Sequence, residues 1–256
     1  MREIATDTRR AAHSRPGGLM IRRTAAEPQL SIDGRFLSRI LLGLALTVVL
    51  LGYFRELYVA QFGLETALKD LRHIALDSEH TIASWFSSLA LLLAAIFLSL
   101  IARLQRNAFN DDWRRWALLA VLFAGMSIDE AVSFHELLIK PLRATFGFDG
   151  IFYFAWVVPG LIVVAVLGAF FLPFLLRLPV RHAVRFAGCG LIYVGGALGM
   201  EMVSGSLASQ FGMQSVSYIL AASAEETLEI FGVTLFCCAL VGYLHENFPD
   251  VSLGLD

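Results

Sequence analysis

Three stretches place acids where the surrounding sequence is apolar. SIDEAVSFHE, residues 127–136, carries Asp129, Glu130, His135 and Glu136 at the end of the run WALLAVLFAGM. LGMEMVSG carries Glu201, and SAEETLEIFG carries Glu225, Glu226 and Glu229. Carboxylates gathered in a weakly polar setting repel one another and take up protons unless a cation offsets them. Glutamate with histidine inside a helical bundle holds iron or manganese, mixed carboxylate and imidazole suits zinc, and oxygen-only coordination suits calcium. The expected cofactor is therefore a divalent metal cation: iron, zinc, manganese or calcium. Its candidate ligands are Asp129, Glu201, Glu229, Glu225 and His135, with Glu130 or Glu136 as general acid or base.

A second cluster lies in LETALKDLRHIALDSEHTIASW, where His73, Asp77 and His80 recur at i, i+4 and i+7, one face of a helix and a spacing able to present metal ligands. His73 and His80 join the candidate ligands on that ground. Leu64, Leu68, Leu71 and Ile74 stand at helical spacing in the same stretch, as an amphipathic helix on a membrane surface near residues 64–76 would place them. The plainer reading makes Asp77 or Ser78 a helix cap and leaves the histidines in water.

Absent motifs narrow the chemistry. No ExxH, HExxH or HxxxH occurs, which disfavours desaturases with histidine boxes and membrane hydrolases of the ceramidase kind. Neither GxSxG, a P-loop nor GxGxxG is present, so serine-nucleophile and nucleotide-binding classes lose their signatures, and nothing points to nucleic acid. Cys189, Cys237 and Cys238 form no CxxC and read as small apolar packing residues.

The elements that must position these residues are membrane helices. Hydrophobic residues make up 57% of the 256, charged residues 16%, and mean hydropathy is +0.68, values foreign to a domain with a wet surface. Apolar runs near the ~20 residues that cross a bilayer fall at 36–54, 82–102, 116–139, 151–176, 186–207 and 221–244. The expectation is an all-α, six-helix transmembrane domain over 36–246, between a basic disordered tail at 1–35 and a short tail at 247–256. Eight arginines in the first 39 residues, and the basic loops RLQRNAFNDDWRR and RLPVRHAVR, put both termini in the cytoplasm by the positive-inside rule. The expected location is the inner (cytoplasmic) membrane of a bacterial-type cell.

Depth and helical phase refine the placement. At 1.5 Å per residue, Asp129, Glu201 and Glu229 lie about 20, 22 and 18 Å above the inner edge of a core about 30 Å thick, one level in the outer half. Asp129, Ser133 and Glu136 form one stripe, and His135 points away from it as a boundary residue would. Glu225, Glu229 and Gly232 line up, Glu201 shares a face with Ser204, and the GxxxG pair Gly195 and Gly199 would admit a second helix, in this chain or a second copy. Ser223 and Glu226 fit a capping box opening the last span. An acid away from the interface costs a few kcal/mol even on the mildest scale, which makes function the default for Asp129, Glu201 and Glu229.

Two functional classes use such a site. One is a metal-dependent hydrolase or oxidoreductase acting on a membrane lipid or other apolar substrate from the outer side. The other is a proton- or cation-coupled transporter, for which Pro159 would kink the fourth span. An assembly subunit whose acids pair with a partner's arginines is a third. The inner half of every expected span is nearly without ionisable groups, which favours the one-sided enzyme.

Overall fold

The computed structural model describes residues 34–63, 72–76, 78 and 80–249. The basic tail, most of the expected amphipathic stretch at 64–76, Asp77 and the end of the C-terminal tail lie outside them. Among the described residues the regular structure is helical throughout. Helix α1 spans Gly34–Phe62, α2 Ile82–Asn107 and α3 Trp113–Val132. A 3-10 turn, His135–Leu138, leads into the short α4, Ile139–Phe146. Helix α5 is Val157–Leu175, and α6, Val180–Val194, continues through a π-helical turn, Gly195–Met200, into α7, Glu201–Phe211. Helix α8, Val216–Asn247, closes the bundle. Among the described residues five helices are long and apolar enough to cross a membrane, and α3 with the segment after it passes the same test only as a pair bent by 72°, the geometry of a broken span or a re-entrant loop.

The start of α1 lies beside the last third of α8. A Cβ on Gly34 would fall 2.8 Å from Val241 Cγ1, and the Cys238 thiol lies 3.8 Å from the Ser38 carbonyl. Large apolar side chains such as Leu50, Val121, Val166 and Leu191 stand exposed on the outside of the bundle. Water would penalise such a surface, whereas hydrocarbon accepts it. Helix α8 sits at the centre, against α1, α2, α6, the π turn and α7, and buries residues along its length.

Local chemistry explains where these helices start and stop. Thr81 caps α2 in a reciprocal box: its side chain accepts from the Ser84 N–H at 3.3 Å, and the Ser84 hydroxyl oxygen accepts from the Thr81 N–H at 3.0 Å. The cap is thus Thr81, rather than Asp77 or Ser78. Helix α8 starts under Ser215, whose hydroxyl accepts from the Tyr218 N–H. Ser223 and Glu226 therefore lie inside the helix, and the capping box expected of them does not form; the Ser223 hydroxyl donates back to the Ile219 carbonyl instead. Pro159 falls in the first turn of α5, where a missing N–H breaks no helical hydrogen bond, and the expected kink is not there.

The largest apolar core fills the end of the bundle that holds the start of α1 and the last third of α8. Leu98, Ile101, Trp116, Phe174, Phe186 and Leu240 are buried together there, with Trp116 edge-on to Phe174 at 5.1 Å. Ion pairs rim this end: Asp112 with Arg115 at 2.6 Å and Arg177 at 2.9 Å, and Glu246 with Arg181 at 3.0 Å and His182 at 3.3 Å. The two basic loops thereby close over the core.

Candidate functional site

The first part of the site is made by the way α3 ends. Ser133 takes a left-handed conformation (φ 56°, ψ 43°), its N–H returns to the Asp129 carbonyl, and the chain then bends by 72°. His135 is carried back over the last turn of α3. Its main-chain N–H donates to Asp129 Oδ1 at 3.1 Å, and its ring Nδ1 donates to Oδ2 at 2.7 Å. One carboxylate thus fixes both the backbone and the ring of one histidine. This corrects the expectation that His135 points away from Asp129: that phase needs a continuous helix across Ser133, and the break there changes it. The break also dissolves the stripe that was to include Glu136, which stands exposed in the 3-10 turn and acts on His135 electrostatically.

Trp156, just before α5, links this pair to the next acid. Its ring lies 4.4 Å from the His135 ring, and its Nε1–H donates to Glu201 Oε1 at 3.0 Å. Glu201 opens α7 directly after the π turn, a distortion that turns the following residues relative to α6 and often marks functional positions. One turn on, the buried Ser204 hydroxyl donates to Glu225 Oε2 at 2.9 Å. The carboxyls of Glu225 and Glu201 lie close enough to act on each other electrostatically.

Close helix packing brings α8 to this row. A Cβ on Gly232 would fall 2.7 Å from the Tyr193 nitrogen, and one on Gly196 would fall 2.8 Å from the Glu225 carbonyl and 3.0 Å from Glu229 Cγ. The polar face of α8 therefore meets α6 and the π turn, where Tyr193 lies beside Glu229. The expected glycine pair does not make this contact, since nothing lies within 4 Å of a Cβ on Gly195 or Gly199. Gly196, next in sequence, faces α8 instead.

Glu130 and Glu226 complete the group. Both act electrostatically on Glu229 and Tyr193, and Glu130 also on Asp129 and His135. Among the described residues no lysine or arginine figures among the groups acting on Glu130, Glu225, Glu229 or Tyr193. His73 and His80 are not among those groups either; they line a cavity beside α2 with Arg72 and Ser78. No helical face presents them, because residues 72–74 form a single 3-10 turn and His80 is left-handed. As the side chains stand, no three His, Cys, Asp or Glu among the described residues are placed to hold one metal ion.

A family model described as a domain of unknown function, DUF8692, matches residues 40–244. The chain belongs to the DUF8692 family. The match runs from α1 to α8 and contains every acid and histidine of both clusters. No curated protein and no solved structure matches the chain. Trp156 and Tyr193 are the site residues of this DUF8692 member that composition and spacing did not single out. An aromatic residue in an apolar span looks like packing until it is seen beside a carboxylate.

Proposed function

We propose that this protein is a membrane-embedded enzyme that binds a divalent cation in its carboxylate pocket and acts on a lipid or other apolar substrate from the outer side of the inner membrane. The single observation that carries this reading is the Asp129–His135 pair at 2.7 Å. A carboxylate that holds one imidazole nitrogen fixes the tautomer and frees the other nitrogen to take a proton or a metal. Asp129 then serves as a positioning residue, and His135 is the group that meets substrate or ion.

The cation follows from charge. Glu130, Glu225 and Glu229 are crowded by neighbouring carboxylates, and such a group calls for protons or a metal ion. His135, Glu201, Glu225 and Glu229 are the residues to hold it, and it would supply electrophilic activation of substrate or water. Ion binding requires a carboxylate to leave its present donor, and Glu201, held by the Trp156 N–H, is the one placed to do so. Glu130 is the candidate general base, with Glu136 the alternative.

Transport by the same acids needs a polar route to the other side of the membrane. Against it stands the apolar core around Trp116, Phe174 and Leu240. The assembly-subunit reading draws on no contact described above. The deciding experiment is elemental mass spectrometry on purified protein, with thermal unfolding in the presence and absence of chelator. About one equivalent of iron, zinc, manganese or calcium is expected, lost in Glu201→Gln. Metal-free protein whose unfolding temperature ignores chelator would sink the cation-dependent reading.

A further inference from the structure

We propose that Ser87 of α2 and Thr234 of α8 hold a single buried water molecule between them. Among the described residues both hydroxyls are enclosed without a hydrogen-bond partner, and each residue is 1% exposed. A buried hydroxyl left so is unfavourable, and folded proteins answer it with a protein group or with ordered water.

The two hydroxyls belong to one layer of the helix pair. The Cys237 thiol donates to the Ala90 carbonyl at 3.3 Å, an offset of 147 residues between α2 and α8. The same offset joins Ala83 to Ile230, which are buried in one cluster, and Ala94 to Val241, which are buried in another. It also joins Ser87 to Thr234. The two helices therefore run parallel, and their paired positions advance by alternating steps of four and three residues, as along the seam of a coiled coil. Of these layers, only that of Ser87 and Thr234 sets one hydroxyl against another.

Neither hydroxyl takes the partner nearest to hand. Ser38, Thr47, Ser223 and Thr227 each donate to the carbonyl four residues back, at 2.7–2.9 Å, the usual recourse of a hydroxyl inside an apolar helix. The carbonyls of Ala83 and Ile230 stand in that position for Ser87 and Thr234, and neither is used. Ser88, the next residue of α2, is satisfied across α3, where it exchanges hydrogen bonds with Ser127 at 2.8 Å. Two hydroxyls that pass over their own helices within one shared layer call for a guest that both donates and accepts. Water is the smallest such guest, whereas two neutral hydroxyls bring a metal cation too few oxygens.

The layer lies beneath the acids. Thr234 follows Glu229 by five residues, about 7 Å further along α8. Ser88 borders an open cleft of about 430 Å³ together with Trp85 and Ala131, which leaves the water a way in from that side. A polar layer in such a seam sets register. Sliding α8 by one turn would place Ser87 against Ile230 or Cys237 and strand its hydroxyl, so the bridge holds Glu225 and Glu229 at their height. None of this draws on the proposed function.

The test is a structure of the full-length protein at a resolution that shows ordered water, together with a double-mutant cycle in thermal unfolding. A water within hydrogen-bonding distance of Ser87 Oγ and Thr234 Oγ1 is expected, and it should vanish in Thr234→Val. Ser87→Ala and Thr234→Val should each lower the unfolding temperature by roughly 2–4 °C. The double variant should fall no further than the worse single one, because each removes the same bridge. A direct bond between the hydroxyls with no water, an ion in its place, single variants that unfold at or above the parent temperature, or additive losses would overturn the proposal. Glu201→Gln should leave the water and the cycle unchanged, so this result and loss of the metal are read separately.

Discussion

Ser204 and Glu225 make the most enclosed polar contact of the site, at 1% and 8% exposure. The two halves of that contact respond oppositely to substitution. Ser204→Ala removes the hydroxyl that donates to Glu225 and leaves a buried carboxyl short of a partner, at a cost of about 1–3 kcal/mol. Glu225→Gln removes like charge beside Glu201 and Glu229, so it should stabilise by about 0.5–2 kcal/mol, as relief at functional sites does. Thermal unfolding of both variants in detergent checks this. Destabilisation by Glu225→Gln would mean that the carboxyl is held for folding and not for use. Asp129, Glu201 and Glu229 stand out in the sequence because an acid away from the membrane interface is costly enough to need a reason. Their aromatic neighbours do not: Trp156 and Tyr193 belong in an apolar span on composition alone, and only the fold sets them beside carboxylates.

Helices were legible where apolar length decides, and their boundaries were lost where a local turn decides. Nothing in the apolar pattern of α3 announces that Ser133 will leave the helix, yet that one residue turns His135 from a boundary residue into the partner of Asp129. Likewise the π turn shifts the phase of Gly195–Met200, and the glycine that meets α8 is Gly196 and not its GxxxG neighbours. Two substitutions test these joints. Ser133→Gly should stabilise the kink by about 1 kcal/mol, since glycine carries no left-handed penalty, while Ser133→Val should destabilise it and weaken the His135 contact. Gly232→Ala should cost about 1–3 kcal/mol by overpacking against the Tyr193 backbone, whereas Gly199→Ala, with nothing within 4 Å, should be silent. If Gly199→Ala proves as costly as Gly232→Ala in monomeric protein, the assigned α6–α8 crossing is wrong.

The whole bundle is asymmetric along its axis, and this asymmetry links fold to function. One end is sealed by the Trp116 core and rimmed by the ion pairs of Asp112 and Glu246; the other carries the acids, the two cavities and a break in α3. Arginine-rich loops lie at the sealed end, so the orientation proposed above, by the positive-inside rule, has that end toward the cytoplasm and the pocket outward. Solvent access should follow the same division. In a background with Cys189, Cys237 and Cys238 replaced by alanine, Ala131→Cys borders the open cleft, and Ala120→Cys is buried toward the sealed end at 6% exposure. A membrane-impermeant maleimide added to spheroplasts should label the first within minutes and leave the second unlabelled, and Asn110→Cys, exposed in the α2–α3 loop, should react only after lysis. Labelling of Asn110→Cys in intact spheroplasts would invert the topology. Equal access to Ala120→Cys from either side would replace the one-sided pocket with a through-path, and with it the enzyme by a transporter.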